Sequence, residues 1–116
     1  MNKIITELNQ EFQSSCCKTQ QYLSYHRMFK REFKKLLSPY CDEIEISKPN
    51  HFDISGFFRL KDNRIFYISI SDLRWSKDSM LVRTAKDFKD YSGGSNRFVK
   101  LNDDFERNFK SEIGIN

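Results

Sequence analysis

The residues best suited to chemistry lie between positions 83 and 97, where cations, hydroxyls and paired glycines share one short stretch: Arg83, Lys86, Tyr91, Gly93, Gly94, Ser95, Asn96 and Arg97. Consecutive glycines let backbone N–H groups point into one concavity, and flanking hydroxyls and cations can complete an anion site. Arg83, Lys86 and Arg97 supply charge and Tyr91 a ring for stacking, which suits a phosphate or a nucleic-acid backbone. The stretch lacks the lysine-ended spacing of a P-loop and opens no apolar helix, so it does not point to a nucleotide fold. The competing reading is a solvated connector whose glycines serve turn geometry, with Asp87 and Asp90 pairing locally with Lys86 and Lys89.

A second basic group is Lys18, Arg27, Lys30, Arg31, Lys34 and Lys35. Charge runs on helices are usually solvated faces; a binding run of this kind would meet a nucleic-acid backbone, with steep salt dependence. Trp75 stands beside Arg74 and Lys77 and reads either as a lid over a sheet edge or as an interface anchor. Cys16, Cys17 and Cys41 form no disulfide framework, and His26 and His51 stand apart from any zinc-like spacing. We expect no metal and no cofactor.

These groups need a scaffold, and hydrophobic periodicity outlines one. Ile5, Leu8, Phe12 and Cys16 recur every three or four residues, and the stripe resumes through Leu23, Phe29, Phe33 and Leu37. That predicts helix over 3–37, with a break near 14–18, ended by Pro39. The period then changes to two. Strands are expected at Ile44–Ile46, at Phe52–Leu60 with Gly56 marking a bulge or a close chain approach, and at Ile65–Asp72. Lys61–Arg64 reads as the hairpin between the last two. A short strand at Met80–Thr84, a loop over 86–96 and a last strand or docking segment around Phe98, Val99 and Leu101 follow. A closing helix begins near Asp103, with Glu106 completing a capping box and Gly114 as its stop.

The expectation is therefore one α+β domain over 1–116: a long N-terminal helix or helix pair in 1–38, an antiparallel sheet of four to five short strands in 41–101, and a helix over 103–114. Eleven phenylalanines promise a core built from rings. The net charge of +4 is concentrated at one end, since residues 1–38 hold seven basic and three acidic side chains while the rest nearly balance. That distribution suits an acidic or phosphate-bearing partner. The composition carries no apolar run of membrane-spanning length, and we expect a cytoplasmic protein that engages no membrane.

From Phe29 the text runs FKREFKKLLSPYCDEIEISKPNHFDISGFFRLKDNRIFYISIS, which resembles the outline of PD-(D/E)XK nucleases such as archaeal Holliday-junction resolvases. The resemblance places Glu32 and Asp53 in the first two acidic slots and implies a metal-dependent nuclease using them with Asp72. At the third slot the sequence departs, reading Ser69-Ile70-Ser71 where the family has an acidic residue and a lysine. Neutral hydroxyls do not hold Mg²⁺ against its hydration shell. A helix–strands–helix order is also similar to double-stranded-RNA-binding domains, but the closing helix opens Asp103-Asp104, which repels phosphate. The segments FDISGFF, FYISISDLRW and LVRTAKDFKDYSGGSN resemble small proteins of phages and other mobile elements. That likeness implies a non-catalytic binding protein, engaging a nucleic-acid-handling or defence complex or nucleic acid itself, as anti-CRISPR inhibitors do. The alternatives are the degenerate nuclease and an oligomeric regulator whose N-terminal helices pair.

Overall fold

The computed structural model describes residues 3–9, 12 and 19–115. Helix α1 (Lys3–Thr6) runs into a 3₁₀ turn at Glu7–Asn9. Helix α2 (Gln20–Leu37) opens where the Thr19 hydroxyl accepts the Tyr22 N–H at 3.2 Å. The N-terminal third is thus a short helix and a long one. Cys16, Cys17 and Lys18 lie outside the described residues.

Five strands follow: β1 (Cys41–Ile46), β2 (Ile54–Leu60), β3 (Ile65–Ile70), β4 (Ser79–Ala85) and β5 (Arg97–Lys100). They form one antiparallel sheet in the order of the sequence. The β2–β3 hairpin turns through Asn63 at φ 75°, a conformation asparagine tolerates better than most residues. Alternation assigns the faces: Ile44, Ile46, Ile54, Phe58, Leu60, Phe66, Ile68, Ile70, Met80, Val82 and Val99 point to the helices.

Helix α2 lays its ring-bearing stripe on that face. Phe33 stacks on Phe29 at 5.2 Å and meets Phe58 at 5.9 Å, and Phe58 stacks on Phe66 at 5.4 Å. Helix α3 (Phe105–Glu112) closes the cluster through Phe109, which is 5.5 Å from Phe33 and 5.8 Å from Phe58. Tyr25 fastens α1 by donating its hydroxyl to the Ile4 carbonyl at 2.7 Å. The Tyr22 hydroxyl donates to the Asp53 carbonyl at 2.6 Å and accepts the Asn50 N–H at 3.2 Å, tying the β1–β2 connection to the helix. Buried Cys41 has its thiol pushed up to about 11, chiefly by burial, so it stays protonated. No helix among the described residues is long and apolar enough to cross a membrane.

One local expectation changes. The expected capping box does not form, because α3 starts at Phe105 and Asp104, its cap residue, makes no side-chain capping bond. Instead the Asn102 carbonyl oxygen Oδ1 accepts the Asp104 N–H, Asp104 pairs with Arg107 and Glu106 with Lys110. The stop at Gly114 holds: at φ 77° it lets Ile115 N–H reach the Lys110 carbonyl and its own N–H the Ser111 carbonyl. The bulge lies in β1 between Cys41 and Glu43, whereas Gly56 marks the close approach of β1.

A Cβ on Gly56 would stand 2.6 Å from the Glu45 carbonyl oxygen and 2.8 Å from Ile46 Cδ1, so Gly56→Ala must push β1 away from β2. We expect it to cost about 2 kcal/mol, read as a lower urea midpoint at unchanged slope. A pH effect comes from His26, buried on α2 with Nε2 3.0 Å from the Ser47 carbonyl oxygen. Burial above all holds its imidazole below the ordinary 6.5, and Lys30 acts in the same direction, against the Ser47 bond and Asp53. The unfolded chain therefore takes up a proton that the folded chain refuses, and stability present above 6.5 drains as pH falls below that value. Unfolding midpoints at pH 7 and pH 5 should differ less in His26→Gln, which keeps a donor for Ser47, than in the parent.

Candidate functional site

The face of the sheet turned away from the helices is arranged in rows of cross-strand partners. One row is Phe57, Tyr67 and Arg83; the next is Ser55, Ser69, Leu81 and Phe98. Ser79 and Lys100 stand opposite each other one step further. The loop over 86–96 folds onto the first row and onto Arg59, whose guanidinium lies 5.9 Å from the Phe88 ring. Phe88 stacks on Phe57 at 5.7 Å, and Tyr91 meets Phe57 at 5.3 Å and Tyr67 at 5.7 Å.

That loop is organised from within. Asp90 accepts the Lys86 N–H at 2.9 Å and the Ser92 N–H at 3.2 Å, bonds that hold its carboxyl below the usual carboxylate range. A Cβ on Gly93 would meet the Asp90 carboxylate at 2.6 Å; one on Gly94, at φ 57°, would meet the Thr84 hydroxyl at 2.5 Å. The glycines thus let the chain close around the loop's own carboxylate and Thr84. Arg83 donates to Asn96 Oδ1 at 3.1 Å and to the Tyr91 carbonyl, with its guanidinium 4.9 Å above the Tyr67 ring. Arg97 sits opposite Val82, a core-facing residue, and pairs with Glu112 at 3.1 Å on the helix side. The structure therefore brings Arg83, Tyr91 and Asn96 together, places Lys86, Gly93 and Gly94 around Asp90 and Thr84, leaves Ser95 exposed, and turns Arg97 to the other face.

Among the described residues the second row carries no such cover. Beside it the β3–β4 connection raises Trp75, 66% exposed, on a turn fixed by Asp72. Asp72 Oδ1 accepts the Arg74 N–H at 2.9 Å, Oδ2 accepts Nη2 at 2.8 Å, and the Asp72 carbonyl accepts the Ser76 N–H at 2.7 Å. The Arg74 guanidinium lies 4.2 Å over Phe52 and 5.5 Å from Trp75, gripping the turn from both sides. Trp75 is thus not buried as a lid. With Leu81 and with Phe98, itself 63% exposed, it borders a groove of about 370 Å³ whose floor and rim carry Ser69, Ser71, Ser76, Ser79 and Asp78.

The acidic slots of the nuclease outline are dispersed. Glu32 lies on α2 between Arg31 at 3.2 Å and Lys35 at 3.5 Å, Asp72 is held by Arg74, and Ser69 and Ser71 line the groove. Among the described residues no three His, Cys, Asp or Glu side chains gather as a metal ion requires. Arg27, Lys30, Arg31, Lys34 and Lys35 all reach solvent from α2, on the opposite side of the sheet from the groove. The chain matches no family model, no curated protein and no solved structure.

Leu81 and Phe98 were not legible as surface residues, because adjacent apolar pairs such as Leu81-Val82 and Phe98-Val99 hide which member faces the core. Their register against the serines of β3 carries the signal. Sequence proximity offers Asp90 a lysine side chain as partner, whereas the carboxylate binds the backbone N–H groups of Lys86 and Ser92. Removing its carboxylate in Asp90→Ala is expected to speed amide exchange at Lys86 and Ser92 well above that of the β2–β3 amides, measured by exchange-detected NMR.

Proposed function

We propose that this chain is a non-catalytic binding protein that holds a protein of a nucleic-acid-handling complex against the open half of its sheet, acting as an inhibitor of that complex. The observation that carries the reading is the pair of exposed rings, Trp75 and Phe98, flanking Leu81 over a hydroxyl-lined groove. Exposed aromatics around an apolar centre with a polar rim are what protein interfaces use as anchors. The groove's charged lining residue is the carboxylate of Asp78, which disfavours phosphate. Arg83, the cation of the neighbouring row, is spent on its own loop. The α2 cations, on the far side, remain open to the nucleic acid that such a complex carries.

A second reading, nucleic acid bound directly, rests on that α2 stripe. Arg27, Lys30 and Lys34 form no ion pair among the described residues. The two readings separate in one experiment: affinity capture of the tagged chain from its native host, with nuclease treatment, for the parent, the Trp75→Ala/Phe98→Ala double variant and the Arg27→Glu/Lys30→Glu double variant. We expect the partner protein to survive nuclease treatment and to fall about tenfold or more with the ring variant only. Capture lost on nuclease treatment, or with the helix variant alone, would favour nucleic acid and overturn the first reading.

A further inference from the structure

We propose that the partner supplies an extended segment that adds to the sheet along β5, antiparallel to it, carrying an acidic residue opposite Lys100 and an aromatic residue opposite Phe98. This rests on the protein-binding reading above and specifies how the open face is engaged. Among the described residues β5 ends the sheet, with β4 on one side and no strand on the other. The phase of its hydrogen bonds follows from the Leu101 N–H donating to the Asp78 carbonyl at 2.9 Å, one step beyond the Ser79–Lys100 pair. In an antiparallel ladder bonded and non-bonded pairs alternate. Val99 and Arg97 therefore bond to β4, and the N–H and C=O groups of Phe98 and Lys100 point away from it, presenting two donors and two acceptors along the edge.

The same two residues direct their side chains to the groove face. Phe98 abuts Leu81 on the inner side, and Lys100 stands exposed with no acidic partner among the described residues. An added strand whose backbone meets that edge puts alternate side chains on the same face, one beside Phe98 and one beside Lys100. In antiparallel order the acidic residue comes two positions before the aromatic, giving Asp/Glu-x-aromatic. Charge complementarity also argues against a second copy of this chain as the occupant: pairing β5 with itself brings Lys100 of both copies to one short edge. A phosphate backbone has no row of donors and acceptors to match the outward amides.

The probe is a synthetic peptide, Ser-Thr-Asp-Thr-Phe-Thr-Ser, blocked at both ends and titrated into the ¹⁵N-labelled full chain. Binding should shift and protect the amides of Phe98 and Lys100. Methylating the backbone nitrogens of its Asp and Phe, or replacing Asp by Lys, should weaken it about tenfold. In native-host capture, Lys100→Pro, which deletes an outward N–H, should lose the partner about tenfold more than Lys100→Ala, which deletes only the charge. Absence of binding at millimolar peptide, shifts confined to other residues, or equal capture by the Pro and Ala variants would overturn strand addition. If capture still falls with Trp75→Ala/Phe98→Ala in that event, the open face remains the binding surface; if it does not, the broader reading fails as well.

Discussion

Everything on this surface depends on the contact between the rings of α2 and one face of the sheet. Phe33 is shared: it touches Phe29 along its own helix, Phe58 on β2 and Phe109 on α3. A sheet has two faces, and among the described residues α2 and α3 pack on one of them while the 86–96 loop folds over part of the other. Packing the aromatic stripe therefore decides that the second face meets water. That constraint turns the placement of the 86–96 loop into the determinant of what the molecule can present. The loop shields Phe57 and Tyr67 with Phe88 and Tyr91, and its reach ends at the Arg83–Asn96 bond.

Charge is partitioned by the same packing. The cations of α2 fall on the side of the helix away from the sheet, so the molecule has a basic back and a front on which, among the described residues, Arg59 and Arg83 are locally matched while Lys100 is not. On the front, Arg59 is matched by Asp42 and Glu43, and Arg83 is taken up by its loop. The open rows consequently offer rings and hydroxyls, with Lys100 and Asp78 as charges at their margin, a combination that gives up less hydration on docking to protein than a densely ionic surface does. A flat partner on the groove cannot also reach α2, which leaves the two surfaces able to act on different components of one assembly.

The helices, the strands and their order were legible because their signals are local: a period of three to four before Pro39, a period of two after it, and turn residues at Lys61–Arg64 and Gly114. The two faces of β3 were equally plain, since Phe66, Ile68 and Ile70 alternate with Tyr67, Ser69 and Ser71. What sequence could not carry was the pairing of distant residues. Whether Arg83 or Arg97 faces the loop depends on register across β4 and β5, and Tyr91, expected as a ring for stacking on a ligand, spends part of that ring on Phe57. The α3 cap failed for a similar reason: the Asx bond of Asn102 competes with a capping box, and the backbone path through Asn102–Asp104 decides between them.

The serines carry the final step. At Ser69 and Ser71 an acidic metal site would have placed converging carboxylates, yet both hydroxyls face the groove beneath Trp75, while the nearest carboxylate in sequence, Asp72, is locked to Arg74. Releasing it for a metal would undo the turn that raises Trp75, since the same side chain bonds Arg74 N–H and Nη2. Hydroxyls at this spacing donate and accept in turn, which matches the alternating amides and carbonyls of an approaching peptide better than it matches a cation. The strand that resembles a nuclease in outline thus lines an open groove with hydroxyls, and the acidic residue beside it braces the turn that carries Trp75.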